Sequence, residues 1–213
     1  MTNEENGSGG TIFDDVFRTM VQKLPELLIP VVNEVFGESY PENTEILQLR
    51  NEHYEKNGKI ITDSIIQMMN HIYHIECQST ASRDMVIRMM EYDFAIALEQ
   101  ARGLERSTQI RFPESCVLYL RHNRRTPEVL EMPILLPDGH EFRYQSKVIK
   151  VQNYTKDEMF EKRLLFFLPY YMMSGSKVPC DEIACALCTE IRRNERARSH
   201  GYLCKGHNAA SGM

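Results

Sequence analysis

Asp63, Glu76 and Gln78 are the residues whose types and spacing suggest chemistry. Asp63 sits in the Ile-rich stretch "KIITDSIIQMM" (59–69), and Glu76 and Gln78 in "IYHIECQS" (72–79). In the second stretch Tyr73, Ile75 and Cys77 alternate with His74, Glu76 and Gln78, so the polar trio shares one face of a strand. Asn70-His71 between the stretches predicts a turn that makes the two strands neighbours. Two carboxylates at the centre of adjacent strands repel and raise each other's pKa unless a cation lies between them. Mg²⁺ suits that place, because it takes hard oxygen ligands and commonly uses one or two carboxylates plus water and a phosphate. The Cys77 carbonyl is a further ligand candidate, and the Gln78 amide could orient a water. Two plainer readings stay open: a polar face turned to solvent, and a Glu76 simply paired with His74.

These residues need elements to position them. "TIFDDVFRTMVQK" (11–23) carries apolar residues at helical spacing, with Thr11 and Asp14 shaped like a capping box. A second helix runs from about Pro25 to Phe36 and stops at Gly37, with Pro30 predicting a kink or a later start. Three strands follow, 44–54, 59–69 and 72–79, as an antiparallel meander turning at Asn57-Gly58 and Asn70-His71. "SRDMVIRMMEYDFAIALEQA" (82–101) is the clearest helix, with Ser82 as N-cap and Met85, Met89, Tyr92 and Ile96 on one face. Then come a strand over 114–122, a hairpin around Asp138-Gly139, and a helix over 155–173 capped by Thr155 and Glu158. Helices interspersed with strands around one sheet make a mixed α/β domain.

The chain has 213 residues, 42% of them hydrophobic and 26% charged, which suits one domain with an appended tail. Its longest apolar runs, such as 164–168, are too short to span a membrane. The leader "MTNEENGSGG" (1–10) lacks a signal peptide's charged and apolar regions, so a cytoplasmic, thiol-reducing location is expected for the six cysteines. A formal net charge of −5 means that nucleic acid is not drawn by the overall field. Any DNA contact must come from a local basic patch or a bridging metal ion. "RHNRR" (121–125) is one such patch. Arg88 and Tyr92, at i and i+4 on one helix face, could reach a DNA phosphate or brace the site. From Ser174 the chain turns polar and Cys-rich. Cys185-x2-Cys188 and Cys204-x2-His207 have a zinc-ribbon-like spacing, but the intervening "CALCTEIRRNERAR" looks helical and lacks a knuckle glycine. A poorly ordered extension without zinc is the preferred reading of 174–213.

Asp63 followed by Glu76-Cys77-Gln78 resembles the D…(D/E)-x-K signature of the PD-(D/E)XK nucleases. It is closest in pattern to the recombination-promoting nuclease/transposase branch, where the last position is commonly Gln. "FDDVFRTM" with "LLIPVVNEVFG", then "YHIECQST…MVIRMMEYDFAI", then "KRLLFFLPYYMM", are similar to that family's ordered segments over residues 11–173. The resemblance implies a restriction-endonuclease-like core, a mixed sheet flanked by helices, and Mg²⁺-dependent hydrolysis of DNA phosphodiesters, with Mn²⁺ as a substitute. Asp63 and Glu76 would hold the ion, Asp14 or Glu34 would supply a further acidic group, and Gln78 would stand where relatives have Lys. Gln can position water but adds no positive charge. The implied protein is a DNA endonuclease of recombination, mobile elements or phage defence, with DNA as partner, homodimers admitted and no membrane. The alternative is a catalytically inactive nuclease fold that binds DNA or protein.

Overall fold

The computed structural model describes residues 12–50, 52–55, 58–101, 109–173, 188–189 and 192; the side chains of Asp14 and of residues 52–61 fall outside that description. The chain divides into two compact units, Met1–Phe166 and Phe167–Met213. The first unit runs α1 (Ile12–Lys23), α2 (Leu28–Phe36), β1 (Ile46–Gln48), β2 (Glu52–Glu55), β3 (Gly58–Ile61), β4 (Ser64–Met68) and β5 (His71–Gln78). It continues with α3 (Met85–Ala101), β6 (Glu114–Tyr119), β7 (Val129–Leu135), β8 (Glu141–Lys150) and α4 (Lys156–Glu161). In the second unit α5 spans Leu168–Met173.

Six strands form one mixed sheet in the order β1-β4-β5-β6-β8-β7. The β5–β6 and β6–β8 pairs are parallel, and the outer pairs are antiparallel. A parallel pair needs a crossover, and α3 provides it between β5 and β6. Helices cover both faces. Phe36 of α2 lies 5.0 Å from Tyr73, ring to ring, on one face. On the other, Met85 and Met89 of α3 pack in one cluster with Val117, Tyr119, Leu130 and Tyr144. A strand covered on both sides reads as a continuous buried run. That is the pattern of β5 from Tyr73 to Cys77. The expected mixed sheet flanked by helices is therefore present.

Local chemistry accounts for several boundaries that differ from the sequence expectation. The second helix starts at Leu28, after a 3-10 turn over Pro25–Leu27, so Pro30 falls in its first turn, where an N–H has no intrahelical acceptor. The stretch 44–54 divides between β1, in the main sheet, and β2, which pairs only with β3. The stretch 59–69 divides likewise into β3 and β4, leaving Thr62 and Asp63 between them. The β4–β5 turn is Met69-Asn70 rather than Asn70-His71, since Met68 pairs with His71 and Met69 takes φ 51°. Helix 82–101 begins at Met85, and the Ser82 hydroxyl accepts from the Asp84 N–H at 3.3 Å, outside the helix. The predicted helix 155–173 is interrupted after Glu161. Leu164 N–H bonds to Met159 O and Arg163 N–H to Phe160 O, with Arg163 at φ 58°. Those two bonds are a Schellman stop built on arginine instead of glycine. The capping box of Thr155 and Glu158 is as expected. The expected Thr11 cap, the Asn57 turn position, Gly103 and nearly all of 174–213 lie outside the described residues.

Gly37 ends α2 in the left-handed region, at φ 75°. No atom lies within 4 Å of where a Cβ would stand, so Gly37→Ala meets backbone strain and no clash. A loss of about 1 kcal/mol in unfolding free energy is expected from urea titration. A neutral result would show that α2 tolerates a different C-terminal stop.

Candidate metal and nucleic-acid site

Asp63 and Glu76 stand opposite each other across the β4–β5 register, one residue beyond the Ser64–Ile75 pair. Each carboxylate accepts from a backbone amide on the other's side of the pair. The Asp63 N–H donates to Glu76 Oε1 at 2.8 Å, and the Cys77 N–H donates to Asp63 Oδ2 at 3.0 Å. Glu76 is only 2% exposed and Asp63 8%, so the solvent-face reading of this pair is excluded. Burying carboxylates is costly unless they are hydrogen-bonded and charge-compensated, and both conditions are met here.

Compensation for Asp63 comes from α1, where an Arg18 Nη2 lies 3.4 Å from Oδ1. For Glu76 it comes from its own strand, because His74 Nε2 lies 3.0 Å from Oε1. The pairing of Glu76 with His74, one of the two plainer sequence readings, is thus present. It does not end there. His74 Nδ1 lies 2.6 Å from Asp93 Oδ1, and the Tyr144 hydroxyl donates to Asp93 Oδ2 at 2.5 Å. His74 and Asp93 are buried to within 1%. Carboxylate oxygens stand against both ring nitrogens, an arrangement that favours the doubly protonated imidazolium. Burial works against that charge, but the bonds to Asp93 and Glu76 outweigh it and push the His74 pKa up to about 9. Tyr144 is driven well above its usual range, by burial first and then by the Asp93 charge.

Arg88 and Tyr92 meet as their spacing predicts. Arg88 Nη2 lies 3.3 Å from the Tyr92 hydroxyl, and the guanidinium stands 5.6 Å over the ring centroid. Both are half-buried. The Tyr92 ring also meets His74 edge-on, with centroids 6.0 Å apart. Burial disfavours the Arg88 charge, yet its pKa is raised by Tyr92 and by the fields of Glu76 and Asp63. Three acids, Asp63, Glu76 and Asp93, therefore face three cations, Arg18, His74 and Arg88. Gln78 is half-buried on the same strand face, two residues beyond Glu76.

The basic loop joins the same end of the sheet. Leu120 N–H bonds to Gln78 O and Arg121 N–H to Ser79 O, so the chain leaving β6 tracks the end of β5. Asn123 and Thr126 tie the loop together, and Arg121, Arg124 and Arg125 are exposed. Glu34 is engaged elsewhere, accepting from Lys162 Nζ at 2.6 Å and from the Tyr154 hydroxyl at 3.3 Å. The side chain of Asp14 lies outside the described residues. Of the four residues with zinc-ribbon-like spacing, only Cys188 is among the described residues, as an exposed free thiol.

A second ligand-like group went unnoticed in the sequence. Glu38, His71 and Glu114 bring three ligand atoms within 4.8 Å of one another. They lie at the opposite end of β5 from Gln78, and none of them is buried. Their residues come from a loop and two strand starts, so no linear spacing announces them. Arg18, Asp93 and Tyr144 were missed as well. Asp93 had a signal, since it falls on the apolar stripe of Met85, Met89 and Ile96, where a carboxylate demands a partner.

Comparisons with protein-family profiles, with curated proteins and with solved structures find no match to the chain. No helix among the described residues is long and apolar enough to cross a membrane.

Proposed function

We propose that the protein is a Mg²⁺-dependent DNA endonuclease, with Asp63 and Glu76 as the metal-holding pair and Gln78 beside them. The observation that carries this reading is the buried Asp63–Glu76 pair, set just before β4 and near the C-terminal end of β5. Ligand sites in open α/β sheets favour that end of parallel strands. The donor set fits a hard divalent cation. Asp63 Oδ2 and Glu76 Oε1 each accept from a backbone amide, Asp63 Oδ1 faces Arg18, and both groups offer the hard carboxylate oxygens that Mg²⁺ takes. When bound, Mg²⁺ would supply Lewis-acid stabilisation of phosphate charge and a more acidic attacking water. The chain's own part is to hold the pair, keep Arg18 and Arg88 close to an anionic substrate, and offer the exposed arginines of 121–125 to the DNA backbone.

A second reading has its own support: a nuclease fold that binds DNA or protein without cutting. The three acids already face three cations, and Gln78 brings no charge. One assay separates the two. Plasmid and linear DNA are incubated with the protein in Mg²⁺, Mn²⁺ or EDTA, beside Gln78→Lys. The nuclease reading expects cutting that EDTA abolishes, and about a tenfold gain in rate from the added lysine charge. Salt-sensitive DNA binding with no cutting under any metal would favour the binding module. Roles in recombination, mobile elements or phage defence would share this chemistry.

A further inference from the structure

Resting on the nuclease reading, we infer that His74 and Asp93 are positioning residues that hold Glu76 in its ligating orientation, with Tyr144 anchoring the row from β8. A glutamate has three rotatable bonds, and freezing them is an entropic cost that something must offset. Here Glu76 Oε1 is fixed from two directions, by the Asp63 N–H at 2.8 Å and by His74 Nε2 at 3.0 Å. The two donors come from different places, the β3–β4 junction and β5, so the carboxylate cannot swing without breaking one of them. Its other oxygen, Oε2, is left for a cation.

His74 is itself fixed. Its Nδ1 donates to Asp93 Oδ1 at 2.6 Å, and Asp93 Oδ2 accepts from the Tyr144 hydroxyl at 2.5 Å. Behind Tyr144, Ser115 and Ser146 extend the polar row, with Ser115 Oγ 3.5 Å from the Tyr144 hydroxyl and 3.3 Å from Ser146 Oγ. All these side chains are buried. The row draws on β5, α3, β8 and β6 in turn, and a carboxylate tied to four elements is as rigid as the fold. Outer-shell partners of this kind commonly set metal affinity by 10- to 100-fold.

The test is Mn²⁺ binding, followed by calorimetry on the full chain, with thermal unfolding alongside. His74→Ala is expected to bind Mn²⁺ about 10- to 100-fold more weakly than the parent. The double variant His74→Gln/Asp93→Asn rebuilds the row without its charges. The introduced glutamine can donate to Glu76 and accept from the introduced asparagine, which still accepts from Tyr144. It is expected to recover most of the lost affinity. His74→Ala with lowered thermal stability but parental Mn²⁺ affinity would overturn the inference, leaving a purely structural role. So would a folded double variant that binds no better than His74→Ala. Where His74→Ala does not fold, the double variant is compared with the parent, and a tenfold or greater loss overturns the inference. A parent protein that takes up no Mn²⁺ removes the nuclease reading itself, which the variants alone cannot do.

Discussion

Glu76→Gln and Asp63→Asn are expected to abolish metal-dependent cutting, by at least about 100-fold each, while leaving the fold in place. The amides are chosen because of what each carboxylate does besides ligation. Glu76 Oε1 accepts from the Asp63 N–H and from His74, and Asp63 Oδ2 accepts from the Cys77 N–H. A glutamine or asparagine oxygen can still accept those bonds. Alanine would leave buried donors unsatisfied, at about 1–3 kcal/mol each, and confuse unfolding with loss of chemistry. What the amides remove is the charge that a hard cation requires. Rates are measured on supercoiled plasmid, with unfolding midpoints recorded for the same preparations. Cutting that persists in both variants would sink the assignment of Asp63 and Glu76.

The second large effect is on stability against pH. The folded pKa of His74 is pushed up from 6.5 to about 9, so the native state holds a proton that the unfolded chain releases. Stability then falls as pH rises. The contribution is present in full below about 6.5, declines at about 1.4 kcal/mol per pH unit above it, and is gone once the pH passes the folded value. The total is on the order of 3 kcal/mol, a large share of a domain's stability. The titratable groups around the ring are Asp93, Glu76, Tyr92 edge-on at 6.0 Å and, through Asp93, Tyr144. Cys116 and Tyr144 push in the same direction only from about their ordinary values of 9.0 and 10.0 upward, so measurements between about pH 6 and 8 keep them out. Urea unfolding should show the decline in the parent protein and not in His74→Gln/Asp93→Asn. A flat profile in the parent would show that the imidazolium does not form.

Much of the fold was written in local chemistry. Period-3.6 apolar residues marked α1 and α3, Gly37 and Thr155 marked helix ends, and Asp138-Gly139 marked the β7–β8 hairpin. Alternation in "YHIECQ" put His74, Glu76 and Gln78 on one face. These signals survive because they depend on neighbours a few residues away. Pairing is a different matter. Nothing local separates β2 and β3 from the main sheet, or moves the break in 59–69 to Thr62-Asp63. Those outcomes depend on which strands find partners at long range.

The candidate site divides in the same way. Its acidic pair was legible, since two carboxylates in apolar strands joined by a turn have few plain explanations. What the sequence could not determine was their surroundings. A bonding row from Asp63 through Glu76, His74 and Asp93 to Tyr144 joins residues up to 81 positions apart, and Arg18 reaches Asp63 from 45 positions away. Sequence by itself set residue types, faces and element ends, because those follow from backbone sterics and periodicity. Tertiary structure alone decided which buried charge meets which, because a charge taken out of water is held only by the partners that the fold brings to it.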